Sequence, residues 1–361
     1  MNTLKPNKQP WLSSGLVDGI FILSPPFLAL LAVACFPEAF KTTSAMPLIY
    51  WVLLVVMIDV AHVYSTLYRT YFRLSAIRQQ PMLVVIPFLC YVVGVLLYNI
   101  DGMIFWRILA YLAVFHFIRQ QYGFMRLYSR KEQQAQLYRR IDTLAIYTAT
   151  LYPLVYWHVA GGRQFNWFIN GDFLIFRSAW ISTVGSWLYA FVIVTYLVKE
   201  TVFFLQSQKI NLPRNLIVLG TFLSWYFGIV YYNGDMAFTT LNVISHGIPY
   251  MALVWLMEQK RLKQSNANER PLLRAAFRPY TGVLVFVIFL ILLAYVEEGL
   301  WDGLVWREHT TFFQAFNKLP LINDSLTLAL LIPLLALPQS THYVLDGFIW
   351  KRAKQDCDFN T

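Results

Sequence analysis

The sequence predicts an all-α polytopic membrane protein, a bundle of about ten transmembrane helices. Of its 361 residues, 58% are hydrophobic and only 13% are charged, whereas a soluble domain has about 25% charged residues. The mean hydropathy is +0.50. The apolar residues also form stretches of about 20, the length at which a helix crosses a bilayer core of about 30 Å.

Ten apolar stretches follow one another along the chain, and polar turns or basic loops separate them. We predict spans at 15–36, 46–68, 82–100, 104–125, 141–160, 179–205, 213–232, 236–257, 279–297 and 322–350. The third and fourth spans are separated only by a tight turn at Asn99–Gly102, and the longest outer loop is predicted at 298–321. No repeat, linker or low-complexity run divides the chain, which predicts a single transmembrane domain over 1–361.

The distribution of basic residues predicts the orientation of these spans. With a cytoplasmic N-terminus, 23 of the 29 Lys and Arg residues lie on the cytoplasmic side. Cytoplasmic loops carry an excess of Lys and Arg in membrane proteins, so both termini are predicted to be cytoplasmic. The net charge of +10 is explained by these loops, and no nucleic-acid partner is expected. We expect a multi-pass protein of the bacterial inner (cytoplasmic) membrane.

Four of the six histidines lie inside apolar spans that all run from outside to inside. They are His62 in span two, His116 in span four, His246 in span eight and His342 in span ten. At about 1.5 Å per residue, each lies roughly 10 to 18 Å from the charged edge of its own span. The four imidazoles are therefore predicted to share one slab of the membrane. His158 and His309 lie near the outer ends of spans or in a loop, and structural roles are expected for both.

Each of the four buried histidines has polar residues on its own helix face, because residues three or four apart share a face. Ionisable groups at this depth are costly and usually mark function. The sequence predicts metal ligands at His62, His116, His246, His342, Asp59 and Asp346. Roles in supporting the ligands or in catalysis are predicted for Asp18, Tyr64, Arg119, Gln120, Tyr122, Asn242 and Tyr250. Asp346 is predicted either to ligate the metal or to take a ring N–H and fix a tautomer.

This set of ligands favours non-haem iron, with one or two metals, while copper, zinc and haem b stay open. Neutral imidazole suits several transition metals, and added carboxylates shift the balance toward non-haem iron. The Asp59-x-x-His62 spacing is that of the acid and histidine in di-iron helical bundles. A redox metal in a membrane fits the oxidation of a lipophilic substrate by O₂. Hydroxylation, desaturation and oxidative cleavage are the candidate reactions, and either an external partner donates electrons or the reaction needs none.

The placement of His62, His116, His246 and His342 on separate hydrophobic spans resembles multi-pass, histidine-ligated iron oxygenases of bacterial membranes. The Brp/Blh-type carotenoid-cleaving oxygenases are similar in kind. The resemblance implies a ferrous site and cleavage of a polyene. The HxxxH and HxxHH boxes of desaturases and alkane hydroxylases are absent, since no two histidines are closer than 33 residues.

Two other functions compete with the oxygenase. A b-type haem protein that carries electrons would use the histidines as axial ligands. A proton-coupled transporter would use the buried polar groups as an ion relay. The three cysteines show no zinc-binding spacing, and no phosphate-binding or nucleophile motif is present.

Overall fold

The computed structural model describes residues 9–41, 46–264 and 271–356, and every regular element in these ranges is a helix. The long helices are α1 (Gly15–Leu23), α2 (Pro25–Cys35), α3 (Leu48–Arg69), α4 (Met82–Ile100), α5 (Gly102–Tyr128), α6 (Gln136–Val159), α7 (Ala179–Ser207), α8 (Leu212–Trp225), α9 (Asp235–Gln264), α10 (Gly282–Trp306), α11 (Ser325–Leu335) and α12 (Leu337–Asp356). Shorter helical segments are Pro37–Lys41, Leu74–Gln79, Tyr226–Tyr231, Pro271–Ala276 and Gln314–Phe316. The prediction of an all-helical chain is confirmed for these ranges.

Six of these helices are long and apolar enough to cross a membrane, namely α3, α4, α5, α7, α9 and α10. Two bent pairs, α1 with α2 and α11 with α12, raise the number to eight if each pair is one span. Helices α6 and α8 lie at the two remaining predicted positions. Helix α8 carries Arg214 and Asn215 in its first turn and continues directly into the π-helical segment Tyr226–Tyr231, and α6 carries Arg139, Arg140 and Asp142 near its start. The structure supports a multi-pass membrane protein, while ten spans and cytoplasmic termini stay predictions.

The helix ends explain two details of the predicted topology. The tight turn is present: α4 ends at Ile100, and Asp101 caps α5 by accepting a 2.8 Å hydrogen bond from the backbone N–H of Met103. Such an acceptor satisfies an N–H that has no partner inside the helix. The outer loop predicted from 298 begins later, because α10 continues to Trp306 and ends where Arg307 takes a left-handed conformation.

The described chain divides into two compact units. The first unit contains 1–45, 117–166 and 174–249, and the second contains 46–116, 167–173 and 250–361. One boundary falls in α5 between His116 and Phe117, and another falls in α9 between Pro249 and Tyr250. The single transmembrane domain stays a prediction.

A buried ion network joins α6, α7 and α8 in the first unit. Lys199 donates to Asp142 at 2.6 Å, and Arg214 donates to Glu132 at 2.9 Å and to Glu200 at 2.5 Å. Arg214 is fully buried. Buried charges of this kind need partners, because removing one partner leaves an uncompensated charge in a low-dielectric interior.

An aromatic core holds α3, α9 and α10 together in the second unit. The ring of Tyr68 is fully buried and lies 5.0 Å from that of Phe286 and 5.3 Å from that of Phe277, centroid to centroid. Tyr250 and Val254 of α9 belong to the same cluster. This packing fixes the rotation of α3 and α9, and with it the direction of their polar residues.

Candidate metal centre

His62 follows a distortion in α3. Residues Val52–Val60 are π-helical, and the α-helix resumes at Ala61. Such π segments are frequent at functional sites. The His62 ring is buried, and its Nδ1 lies 3.7 Å from Oδ1 of Asp59, whose side chain is 36% exposed. Asp59 and His62 thus lie on one face of α3, as residues three apart do, and their roles as metal ligands stay predictions.

His116 of α5 and His342 of α12 meet in the interior of the second unit. Their Nε2 atoms are 3.1 Å apart and their ring centroids are 4.4 Å apart. Each residue is only 2% exposed. The chain thus brings together two imidazoles that are 226 residues apart in sequence.

The other nitrogen of each imidazole faces a polar side chain. Oδ2 of Asp346 lies 3.4 Å from Nδ1 of His116. Oγ1 of Thr66 lies 2.7 Å from Nδ1 of His342. Partners at the second ring nitrogen orient a histidine and select its tautomer.

Tyr250 of α9 closes these contacts into a circuit. Its hydroxyl donates a short hydrogen bond to Oδ1 of Asp346, and its oxygen lies 3.1 Å from Oγ1 of Thr66. We call the five residues His116, Asp346, Tyr250, Thr66 and His342 the polar circuit. All five are buried, so in this low-dielectric interior the electrostatic interactions between them are stronger than in water.

His62 lies beside the polar circuit. Its ring centroid is 5.1 Å from that of His342 and 6.4 Å from that of His116. A ring nitrogen of His62 also lies within 4.8 Å of one of His116. Three of the four predicted histidines therefore come together in the second unit.

The geometry of the histidine pair fits a metal ion. His116, His342 and Asp346 each offer a ligand atom within 4.8 Å of the others. With metal–nitrogen bonds of about 2.0–2.1 Å, two Nε2 atoms 3.1 Å apart subtend an angle of about 95–102° at the metal. This angle lies between those of adjacent ligands in octahedral and tetrahedral ions. The carboxylate and imidazole donors are those of iron, zinc or copper sites.

A buried carboxylate that the sequence reasoning missed lies in the same unit. Glu297 of α10 accepts a 2.5 Å hydrogen bond from the hydroxyl of Tyr64 and another from the amide of Gln339. Gln339 is three residues before His342 and so shares its helix face. The network therefore adjoins His342 along α12. Tyr64, which was predicted to act near the metal, is engaged by this carboxylate.

His246 belongs to the first unit, where its ring stacks on Phe117 with centroids 3.4 Å apart. Pro249 has no N–H to offer the Ser245 carbonyl four residues earlier, and Gln121 Nε2 approaches that oxygen at 3.4 Å. Gln120 donates to the carbonyl of His246 at 2.9 Å. The two glutamines thus support the backbone at the proline. The role of His246 as a fourth ligand stays a prediction.

Two other predicted residues of the first unit are held by hydrogen bonds. Asp18 accepts from the backbone N–H groups of Leu12 at 2.6 Å and Ser13 at 3.0 Å, just before α1, and from the hydroxyl of Tyr128 at 3.1 Å. Asn242 donates to the Phe238 carbonyl at 2.9 Å within its own helix. These contacts give both side chains a structural role, and a catalytic role for them stays a prediction.

Arg119 and Tyr122 form a pair on α5 in the first unit. The guanidinium carbon of Arg119 lies 5.0 Å from the centre of the Tyr122 ring, and Arg119 donates to the hydroxyl of Tyr147 at 2.5 Å. A cation over an aromatic face is an ordinary stabilising contact. Their predicted action on substrate stays a prediction.

The contacts of the remaining two histidines support structural roles. Nδ1 of His158 lies 2.8 Å from the Leu154 carbonyl of its own helix. The His309 ring packs on Trp51 with centroids 4.1 Å apart. Both residues therefore serve as controls for substitutions in the polar circuit.

Thr66 and Glu297 are the important residues that the sequence reasoning did not select. Thr66 is four residues after His62 and so shares its helix face, a signal that was available. Glu297 is the last residue of the predicted ninth span, directly before the predicted outer loop at 298–321. Only the continuation of α10 to Trp306 places the Glu297 carboxylate inside the protein.

Comparisons of the chain with protein-family models, with curated proteins and with solved structures found no match. The resemblance to Brp/Blh-type oxygenases stays a prediction. The case for a function therefore comes from the geometry of the described residues.

Proposed function

We propose that this chain is a membrane-embedded metal protein of the bacterial cytoplasmic membrane, with non-haem iron held in its second unit, and that it oxidises a lipophilic substrate. The observation that carries the proposal is the buried pair of Nε2 atoms, 3.1 Å apart, on His116 and His342. His62 is the nearest candidate for a third nitrogen ligand.

The carboxylate of Asp346 makes His116 a suitable ligand. A lone pair on Nδ1 facing the carboxylate oxygen at 3.4 Å would be repelled, so the proton is favoured on Nδ1. A neutral imidazole has one proton, and Nε2 then offers its lone pair toward His342. Carboxylate–histidine–metal arrangements of this kind raise the basicity of the ligand.

Bound iron would supply one-electron chemistry with O₂, and the surrounding residues define what the site does with it. The polar circuit is buried among apolar helices, which excludes bulk water and favours a lipophilic substrate. The hydroxyls of Tyr250 and Tyr64 donate hydrogen bonds to Asp346 and Glu297, respectively. Both tyrosines are thus placed to exchange a proton within the second unit.

The haem alternative is disfavoured for the His116–His342 pair. Axial histidines lie on opposite sides of a haem iron, so bonds of about 2.0 Å require Nε2 atoms about 4 Å apart with the macrocycle between them. The separation here is 3.1 Å, and the rings are inclined at 63° with centroids 4.4 Å apart.

A proton-coupled transporter is the second candidate, and the buried Glu297 favours it. This carboxylate is bound by Tyr64 and Gln339 within the second unit, and ionisable groups of this kind mark proton relays in transporters. In that case the two Nε2 atoms would share a proton in place of a metal. A measurement of bound metal distinguishes the metal-dependent oxidase from the transporter.

The test is the metal content and visible spectrum of the protein purified in detergent, with His116→Ala and His342→Ala as variants. We expect about one or two iron atoms per chain, no Soret band, and loss of the metal in both variants. His158→Ala and His309→Ala should keep it. A Soret band would replace the proposal with a cytochrome. A wild-type protein that binds no transition metal, even after iron or zinc is added, would refute it.

A further inference from the structure

An exposed arginine lies on α5, one of the helices that are long and apolar enough to cross a membrane. Arg119 belongs to the first unit and is exposed. It is seven residues before Arg126, the basic residue in the last turn of α5, which places it about 10 Å from that residue along the helix. A charged residue inside a membrane span is costly and usually marks function.

Two tyrosines hold the guanidinium group of Arg119 at this depth. Its Nη1 donates to the hydroxyl of Tyr147 at 2.5 Å, and its carbon lies 5.0 Å from the centre of the Tyr122 ring. The two tyrosine rings stack with centroids 5.4 Å apart. Tyr147 is seven residues beyond Arg140 in α6, again about 10 Å along the helix. The guanidinium group is therefore held away from the charged ends of both helices.

The surface around this guanidinium group is apolar. Leu144 and Leu151 share the helix face of Tyr147, and they are 49% and 44% exposed. In the part of the chain that the structure describes, no carboxylate forms an ion pair with Arg119. Arg214 of the same unit, by contrast, is buried among carboxylates. An anion for Arg119 is therefore expected to come from another molecule.

We propose that Arg119, Tyr122 and Tyr147 form a binding site for the oxyanionic head group of a lipid, which is a carboxylate or a phosphate. A guanidinium group has five N–H donors and no acceptor, and one of these donors is used by Tyr147. Its planar fork matches two oxygens of a carboxylate or phosphate. The hydroxyl of Tyr147 accepts from Arg119 and keeps its own proton to donate to the same head group.

The apolar surface accounts for the rest of such a ligand. A lipid whose head group binds Arg119 can lay its chains along the exposed side chains of Leu144 and Leu151. The positive charge of Arg119 would then be paired where water is scarce, which is where an ion pair is strongest. We call these three residues, Arg119, Tyr122 and Tyr147, the head-group site. It lies in the first unit and needs no metal.

The chain offers a matched pair of exposed arginines. Arg119→Gln removes the charge from the head-group site, and Arg140→Gln removes the same charge from an exposed position near the start of α6. Neither substitution leaves a buried cavity, so both variants should fold. Arg119→Lys keeps the charge without the planar fork. Tyr147→Phe keeps the ring and removes the hydroxyl, and it tests the inference if Arg119→Gln does not fold.

The measurement is native mass spectrometry of the delipidated full chain in detergent, titrated with three lipids that carry oleoyl chains. Phosphatidylglycerol supplies an anionic phosphate, oleate supplies a carboxylate, and phosphatidylcholine is the lipid without net charge. We expect Arg119→Gln to weaken the binding of at least one anionic lipid about 5- to 10-fold, while Arg140→Gln stays within about twofold of the wild type. Arg119→Lys and Tyr147→Phe should lose less. Phosphatidylcholine binding should not change.

The two anionic lipids identify the head group. A loss confined to phosphatidylglycerol assigns a phosphate, a loss confined to oleate assigns a carboxylate, and a loss of both assigns a general oxyanion site. Equal losses in Arg119→Gln and Arg140→Gln would overturn the inference, because attraction would then come from overall charge. So would a wild type that binds phosphatidylcholine as tightly as both anionic lipids, or a wild-type dimer that Arg119→Gln dissociates, since a second copy would then supply the anion. None of these outcomes depends on bound iron.

Discussion

Asp346→Asn changes one atom of the polar circuit and should weaken metal binding by a predictable amount. The asparagine has the shape of the aspartate, but it presents an N–H₂ donor where the carboxylate presents an acceptor. In the wild type the two carboxylate oxygens face different partners, His116 Nδ1 at 3.4 Å and the hydroxyl of Tyr250. The amide group must therefore point its donor at one of them.

In either orientation of the amide, one of the two histidines loses the Nε2 lone pair that would bind the metal. If the N–H₂ faces His116, that Nδ1 becomes an acceptor and the proton moves to Nε2, which then has no lone pair for a metal. If it faces Tyr250, the tyrosine proton turns to Thr66, the Thr66 proton turns to His342, and His342 acquires the unsuitable tautomer. In serine proteases, replacing the aspartate of the catalytic triad with asparagine lowers activity for the same reason, because the histidine is left in the wrong tautomer.

The expected loss of metal affinity can be estimated from one hydrogen bond. To bind the metal through both Nε2 atoms, the variant must break one hydrogen bond of the circuit and leave a buried donor or acceptor without its partner. A buried donor or acceptor left without its partner costs about 1–3 kcal/mol. At about 1.4 kcal/mol per factor of ten, this corresponds to a Kd for Co²⁺ or Zn²⁺ that rises about 5- to 150-fold. Iron binding should weaken in the same direction.

The assay is a chelator competition with Co²⁺ on the detergent-purified protein, and Asp324→Asn is the control. Asp324 caps α11 by accepting from Thr327 at 2.8 Å, and asparagine caps helices as well as aspartate does. The control should bind metal like the wild type. If Asp346→Asn bound Co²⁺ within about twofold of the wild type, below the expected range, the assignment of protons in the polar circuit would be refuted.

Three further substitutions test the packing around the site through the free energy of unfolding in detergent. Tyr64→Phe should lower it by about 1.5–3 kcal/mol, because it removes a hydrogen bond to the buried carboxylate of Glu297. Arg214→Met should lower it by about 3–5 kcal/mol, because the carboxylates around it lose their cation. Gly94→Ala should lower it by up to about 2 kcal/mol, since a Cβ there would lie 2.9 Å from Cβ of Pro333, and overpacking outweighs the better helix propensity of alanine.

Each of these three substitutions has a control in the same chain. Gly123→Ala should not destabilise, because a Cβ at Gly123 meets no atom within 4 Å. Arg119→Met replaces an exposed arginine, so its effect should be far smaller than that of Arg214→Met. Tyr71→Phe removes a 2.6 Å hydrogen bond to a neutral carbonyl, that of Leu83, and should cost less than Tyr64→Phe. Equal losses in a variant and its control would contradict the corresponding assignment.

The sequence by itself determined the fold class and the helix faces. The composition is 58% hydrophobic and 13% charged, and the apolar stretches have the length of membrane-spanning helices. In a bilayer such stretches must be helical, because the backbone polar groups have no water to bind. Helical periodicity likewise determines which residues share a face. It places Asp59 beside His62 on α3, where the structure has them 3.7 Å apart.

The partners of each histidine on other helices were decided only by the tertiary structure. Thr66 and His342 are 276 residues apart, and the sequence has no signal for their contact. Asp346 shares a helix with His342, yet its carboxylate faces His116 on α5. Periodicity fixes the faces of one helix, but the rotation and depth of that helix against its neighbours depend on packing. In the second unit that packing is the aromatic core around Tyr68. It sets the rotation of α3 and α9, and so places Thr66 and Tyr250 in the polar circuit.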